Sequence, residues 1–92
     1  MILNIISKGL RITYASRTIP DMGAHAAWTV GRIWEQMFEV LDMLQSATPD
    51  TLDHETFKID RDGEKWRMKV VFGWIYFRFE GQDVADVVFR DF

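Results

Sequence analysis

Between Lys65 and Phe92 the chain alternates apolar and polar side chains, and that alternation restricts this part to antiparallel strands. Trp66-Arg-Met-Lys-Val and Trp74-Ile-Tyr-Phe-Arg-Phe are joined through Phe72-Gly73, and Val84-Ala-Asp-Val-Val-Phe-Arg-Asp-Phe follows Gly81. Successive strand residues point to opposite faces, so Trp66, Met68 and Val70 share one side while Arg67 and Lys69 share the other. The next strand repeats the division, with Ile75, Phe77 and Phe79 apolar and Trp74, Tyr76 and Arg78 opposite. A surface carrying Arg67, Lys69, Tyr76, Arg78 and Trp74 is suited to holding a polyanion.

A chain of 92 residues, 48% of them hydrophobic, can bury one core, so a single domain over 1–92 is expected. It has no cysteine, which excludes disulfides and thiolate metal sites and leaves packing to stabilise the fold. The apolar run Met1 to Ile6 is soon interrupted by Lys8 and Arg11, too early for a bilayer span or a signal sequence, and a cytoplasmic protein without a membrane partner is expected. The net charge of -3 argues against general affinity for nucleic acid. Its distribution says more. Asp50, Asp53, Glu55, Asp60, Asp62 and Glu64 crowd the segment before Lys65, whereas Lys65 to Phe79 holds Lys65, Arg67, Lys69 and Arg78 without an acid. That is a basic sheet face beside an acidic connection, although solvent-facing strand residues are commonly charged for no other reason than hydration.

Upstream, Ile2 to Ile6 fits a short buried strand, and Lys8 to Ser16 fits a short helix that Gly9, Ile12 and Thr13 weaken. Pro20, Asp21 and Gly23 place a surface connection over Thr18 to Gly23. From Ala24 to Gln45, Val30, Ile33, Met37, Val40, Leu41 and Leu44 recur at three- and four-residue intervals and form one helical stripe, opposite Glu35, Glu39 and Asp42. Ser46 to Pro49 ends that helix. Thr56 to Ile59 fits a further strand, Asp60-Arg-Asp-Gly63 a turn, and Gly73 and Gly81 separate the strands that follow. The expected class is α+β, with two N-terminal helices on one face of a small, mainly antiparallel sheet.

In this order the segments Lys8-Gly9-Leu10 with Tyr14, Val40-Leu41-Asp42, Trp66-Arg-Met-Lys-Val, Trp74-Ile-Tyr-Phe-Arg-Phe and Arg90-Asp91-Phe92 resemble the HigB branch of the RelE toxin superfamily, small ribosome-dependent mRNA endonucleases of bacterial toxin-antitoxin pairs. The resemblance covers nearly the whole chain and implies a RelE-like fold. There are departures. Trp74 stands where the family has an arginine, only Lys58 and Arg61 remain of the basic run before the first Trp strand, and the family's closing Tyr-His is represented by Phe92.

Cleaving RNA through its own 2′-hydroxyl needs a proton acceptor, a cation for the charged phosphorane and an acid for the leaving oxygen. The superfamily uses Arg, Lys and Tyr for these tasks, so the resemblance implies Arg67, Lys69, Tyr76 and Arg78 as catalytic candidates. Lys58, Arg61, Lys65, Trp74 and Arg90 are the corresponding candidates for RNA binding. An unperturbed Tyr or Lys titrates near 10, so such a site depends on electrostatic tuning. His25 and His54 lie far apart without a second ligand at metal spacing, and no metal or cofactor is expected. Trp28, Trp34 and Trp66 are explained by packing or a partner surface, whereas Trp74 is placed to stack on a base or to mark a protein interface.

Two functions are therefore carried forward. One is a type II toxin acting as a ribosome-dependent mRNA endoribonuclease, with a cognate antitoxin, the ribosome and mRNA as partners. The other is a catalytically degenerate RelE-fold module that binds a protein or nucleic acid.

Overall fold

The computed structural model describes residues 1–17, 27–52, 57–70 and 73–91, the side chains of 27–32 and 91 excepted. The connection expected over Thr18 to Gly23, His25, His54, Thr56, Phe72 and Phe92 lie outside the described residues, as do the side chains of Trp28 and Val30. The elements are α1 (Lys8–Ser16), α2 (Ala27–Ser46), β1 (Ile59–Asp62), β2 (Lys65–Val70), β3 (Gly73–Glu80) and β4 (Asp83–Asp91). The strands form a four-stranded antiparallel sheet in the order β1-β2-β3-β4, and the protein is α+β.

The sheet is a meander because two of its connections are as short as a hairpin permits. Asp62 pairs with Lys65 and Glu80 with Asp83, leaving Gly63-Glu64 and Gly81-Gln82 as loops. Gly63 and Gly81 open these loops with φ of 64° and 63°, a conformation that favours glycine. Three local expectations are corrected here. The strand expected over Thr56 to Ile59 begins only at Ile59, Asp60 to Asp62 belong to the strand and not to a turn, and Gly73 lies within β3, paired with Val70 and Asp91. An edge strand has one face in water and tolerates charged residues, so Asp60-Arg-Asp gives little sign of its conformation.

The N-terminal segment also differs from expectation. It runs parallel to β4 through isolated bridges, Ile2 with Val84 and Ile5 with Val87. Leu3 N–H donates to Val84 O at 2.7 Å and Ile6 N–H to Val87 O at 2.7 Å. Only Ile5 is buried; Ile2 is half-buried, and Leu3, Asn4 and Ile6 are exposed, so this segment packs through the two residues that bridge to β4.

Both helices contribute to the core. Leu10 of α1 and Met37, Val40, Leu41 and Leu44 of α2 cluster with Ile59, Met68, Val70, Ile75, Phe77, Val84 and Val87. The α2 residues are those of the expected stripe, and Glu35, Glu39 and Asp42 are exposed. Phe77 meets Phe79 edge-on at 5.8 Å, and Trp66 meets Phe79 at 6.4 Å. At the end of α1, Arg17 adopts a left-handed cap and its N–H donates to Thr13 O. Its guanidinium lies 4.6 Å from the Tyr14 ring and 5.2 Å from the Phe38 ring, while its Nη1 donates to Asp42 Oδ2 at 3.2 Å. Tyr14 OH donates to the other Asp42 oxygen at 2.8 Å, so one α2 carboxylate latches the end of α1. No helix among the described residues is long and apolar enough to cross a membrane.

Candidate RNA-binding face

The sheet face opposite the core is set by strand register. Arg67 on β2 stands directly across from Tyr76 on β3, and Lys69 across from Trp74. From the other side, Arg90 on β4 stands across from Trp74, and Val88 across from Tyr76. The two arginines do not rest on the residues directly opposite. Arg67 leans diagonally so that its guanidinium carbon is 4.7 Å from the Trp74 ring centre, and Arg90 leans the other way to within 6.0 Å of Tyr76. Diagonal neighbours across a ladder lie within reach of long side chains, and a cation over an aromatic face is attracted to it. The centre of the face is thus Trp74 and Tyr76, with a cation drawn over each from opposite flanks.

Arg67 and both rings are half-buried, whereas Lys69 and Arg90 are exposed. The Arg67 Nε is buried without a hydrogen-bond partner among the described residues. A buried donor left in this way is unusual, and the guanidinium beside it rests against the Trp74 ring.

The far end of the face is organised differently. Arg78 Nε donates to Asp86 Oδ2 at 2.6 Å, and its Nη2 reaches Glu80 at 3.4 Å. Asp86 sits at a register shift between Tyr76 and Arg78 with φ 54°, so it occupies a β-bulge. Asn4 closes on it from the N-terminal segment: its Nδ2 donates to Asp86 Oδ1 at 2.9 Å and its Oδ1 accepts from Asp86 N–H at 2.8 Å. Hydrogen bonds from Asn4 and then from Arg78 hold the Asp86 carboxyl below its ordinary range, and Lys65 adds to this through its charge. The same bond to Asp86 raises the Arg78 pKa.

The structure therefore divides the candidates read from sequence. Arg67, Lys69, Trp74, Tyr76 and Arg90 come together. Lys65 and Arg78 belong to the polar end, where Arg78 is already engaged by acids. Arg61 faces away from this group: it pairs with Trp66, lies 5.4 Å from its ring and donates from Nε to Gly63 O. Lys58 is exposed ahead of β1. The acidic connection expected beside the basic face is corrected as well, since two of its acids lie in β1, Asp60 across from Arg67 and Asp62 across from Lys65.

Asn4 and Asp86 escaped sequence reasoning. The one available signal is the spacing of the buried valines, Val84 and Val87, which are three apart where an unbroken strand would place them two apart. No protein-family model matches the chain, and no curated protein matches it.

Proposed function

We propose that the protein is the toxin of a type II toxin-antitoxin pair, a ribosome-dependent mRNA endoribonuclease of RelE-like fold, with its helices over the core face and the opposite face turned to RNA. The observation that supports this reading is the crossed pair of arginine-aromatic contacts, which with Lys69 gathers three cations and two rings on one face of a protein of net charge -3. In the proposed reaction the 2′-hydroxyl gives up its proton as its oxygen bonds to phosphorus, the bond to the 5′-oxygen breaks and that oxygen takes a proton, leaving a 2′,3′-cyclic phosphate and a 5′-hydroxyl. Arg67, Lys69 and Arg90 stabilise the charge that builds on the phosphate, and Tyr76 handles a proton. Arg78 shapes the end of the site through Asp86 and does not meet phosphate directly.

A second reading, a binding module without nuclease activity, is favoured by the same Arg78 pairs, which withdraw one cation from the expected clamp. Controlled expression in bacteria separates the two. Wild type is compared with a combined Arg67→Ala, Lys69→Ala and Arg90→Ala variant and with Tyr76→Phe, while growth and the ends of translated mRNAs are followed. Growth arrest with new mRNA ends is expected, lost in the triple variant at equal levels of folded protein. Normal growth with intact mRNA at verified levels of folded wild type rejects the nuclease and leaves the binding module.

A further inference from the structure

The geometry of the face bears on which form of RNA it accepts, an inference that rests on the reading of this surface as an RNA-binding one. Trp74 and Tyr76 are two residues apart on β3, so the platforms built on them are spaced by about 7 Å along the strand. Bases within one strand of a duplex follow each other at about 3.4 Å. A stacked helix therefore cannot seat neighbouring bases on both platforms, whereas a strand with splayed bases can.

Arg67 strengthens the case. Its guanidinium carbon lies 4.7 Å from the Trp74 ring centre, and bases stack on arginine planes as they do on rings. Among the described residues the Arg67 Nε has no hydrogen-bond partner, although Asp60 stands across from Arg67 on β1. Arg67 and Arg90 approach from β2 and β4, so a strand crossing the sheet meets one stacked cation on each flank of β3.

Charge decides between stacking and simple electrostatic capture. With a net charge of -3, the protein gains little from long-range attraction to phosphates. Short-range stacking then supplies the larger share of the affinity, beside the local contacts of Arg67, Lys69 and Arg90 with phosphate.

We infer that the protein binds unpaired RNA directly, without the ribosome, by seating two neighbouring bases on the Arg67-Trp74 and Arg90-Tyr76 stacks.

Fluorescence anisotropy of a short labelled RNA tests this, with the oligonucleotide presented either alone or annealed to its complement, the protein purified free of ribosomes, and salt varied. The unpaired strand is expected to bind about tenfold more tightly than the duplex. Trp74→Leu and Tyr76→Leu should each weaken it by about tenfold. With Arg67, Lys69 and Arg90 as the only phosphate contacts, the slope of log K against log salt should be no steeper than about -2. Arg67→Lys keeps the charge and loses the plane, so it should weaken binding several-fold with an unchanged slope, and it remains informative even where Trp74→Leu fails to fold. Equal binding of duplex and unpaired strand, or an Arg67→Lys variant that binds like wild type, overturns the inference. Cleavage on the ribosome without binding to isolated RNA removes this inference and leaves the proposed function. Binding without cleavage does the reverse.

Discussion

Asp86 is the residue at which backbone and electrostatics meet. A positive φ is uncommon outside glycine, and aspartate is one of the side chains that tolerates it. Here it is held by two bonds to Asn4 and one to Arg78. Asp86→Asn keeps the size and the tolerance for this conformation but removes the charge that occupies Arg78. Its expected effect is tighter RNA binding with a steeper salt dependence, read by the same anisotropy titration; unchanged binding would show that Arg78 does not reach the ligand. Asp86 and Asp42 also set the acid response. Asp42 is held below its ordinary range of 3.8 by Arg17 first and Tyr14 second, and Asp86 by Asn4 and then Arg78. A depressed carboxyl contributes stability that is present above its unfolded pKa and lost as pH falls through its folded pKa. The urea midpoint should therefore hold down to about pH 4 and fall below it. Asp42→Asn and Asp86→Asn should start lower near neutrality and fall less. Little of this was legible in the sequence. Nothing in Val84-Ala-Asp-Val-Val marks Asp86 as the bulged residue beyond the spacing of its valines, and its partners come from the N-terminal segment.

At the scale of elements, legibility followed periodicity. The α2 stripe and the alternation in β2 and β3 were readable because each buries one face, so pattern and packing carry the same information. The α1 boundaries agree with the expectation despite weak propensity, and Asp42 supplies the tertiary support that a nine-residue helix lacks by itself. β1 was misplaced because its three exposed residues, Asp60 to Asp62, follow no apolar pattern. The hairpins provide a test. A Cβ at Gly81 would meet no atom within 4 Å, so Gly81→Ala probes backbone conformation alone. It should destabilise the protein by about 1–2 kcal/mol with a native-like spectrum. A change near zero in chemical denaturation would show that the loop can adopt another turn.

For the molecule as a whole, the two sides of the sheet have separate tasks. Leu41 and Phe77 are almost wholly sealed in the core. Leu41→Ala should cost about 2–5 kcal/mol, measured by urea denaturation, while leaving any RNA affinity of the folded fraction unchanged. Loss of affinity in that fraction would mean that the two faces are coupled. The α+β class was legible because it depends on burial, which leaves a strong pattern. The working arrangement of the opposite face was only half legible. Strand alternation places Arg67, Trp74 and Tyr76 together, but the diagonal lean of the arginines and the acids around Arg78 depend on register and on side-chain choices that no pattern encodes.

The parallel bridges from Ile2 and Ile5 to Val84 and Val87 have a consequence in time. Residues ahead of α1 find their partners in β4, and Asn4 waits for Asp86 across a separation of 82 positions. Contacts this distant in sequence form late, because the intervening chain must be ordered before they repay their loop entropy. During translation the early helices can collapse while the outer face is still missing its fourth strand. That face is completed only after β4, with Arg90, has been made, so the surface forms later than the helices.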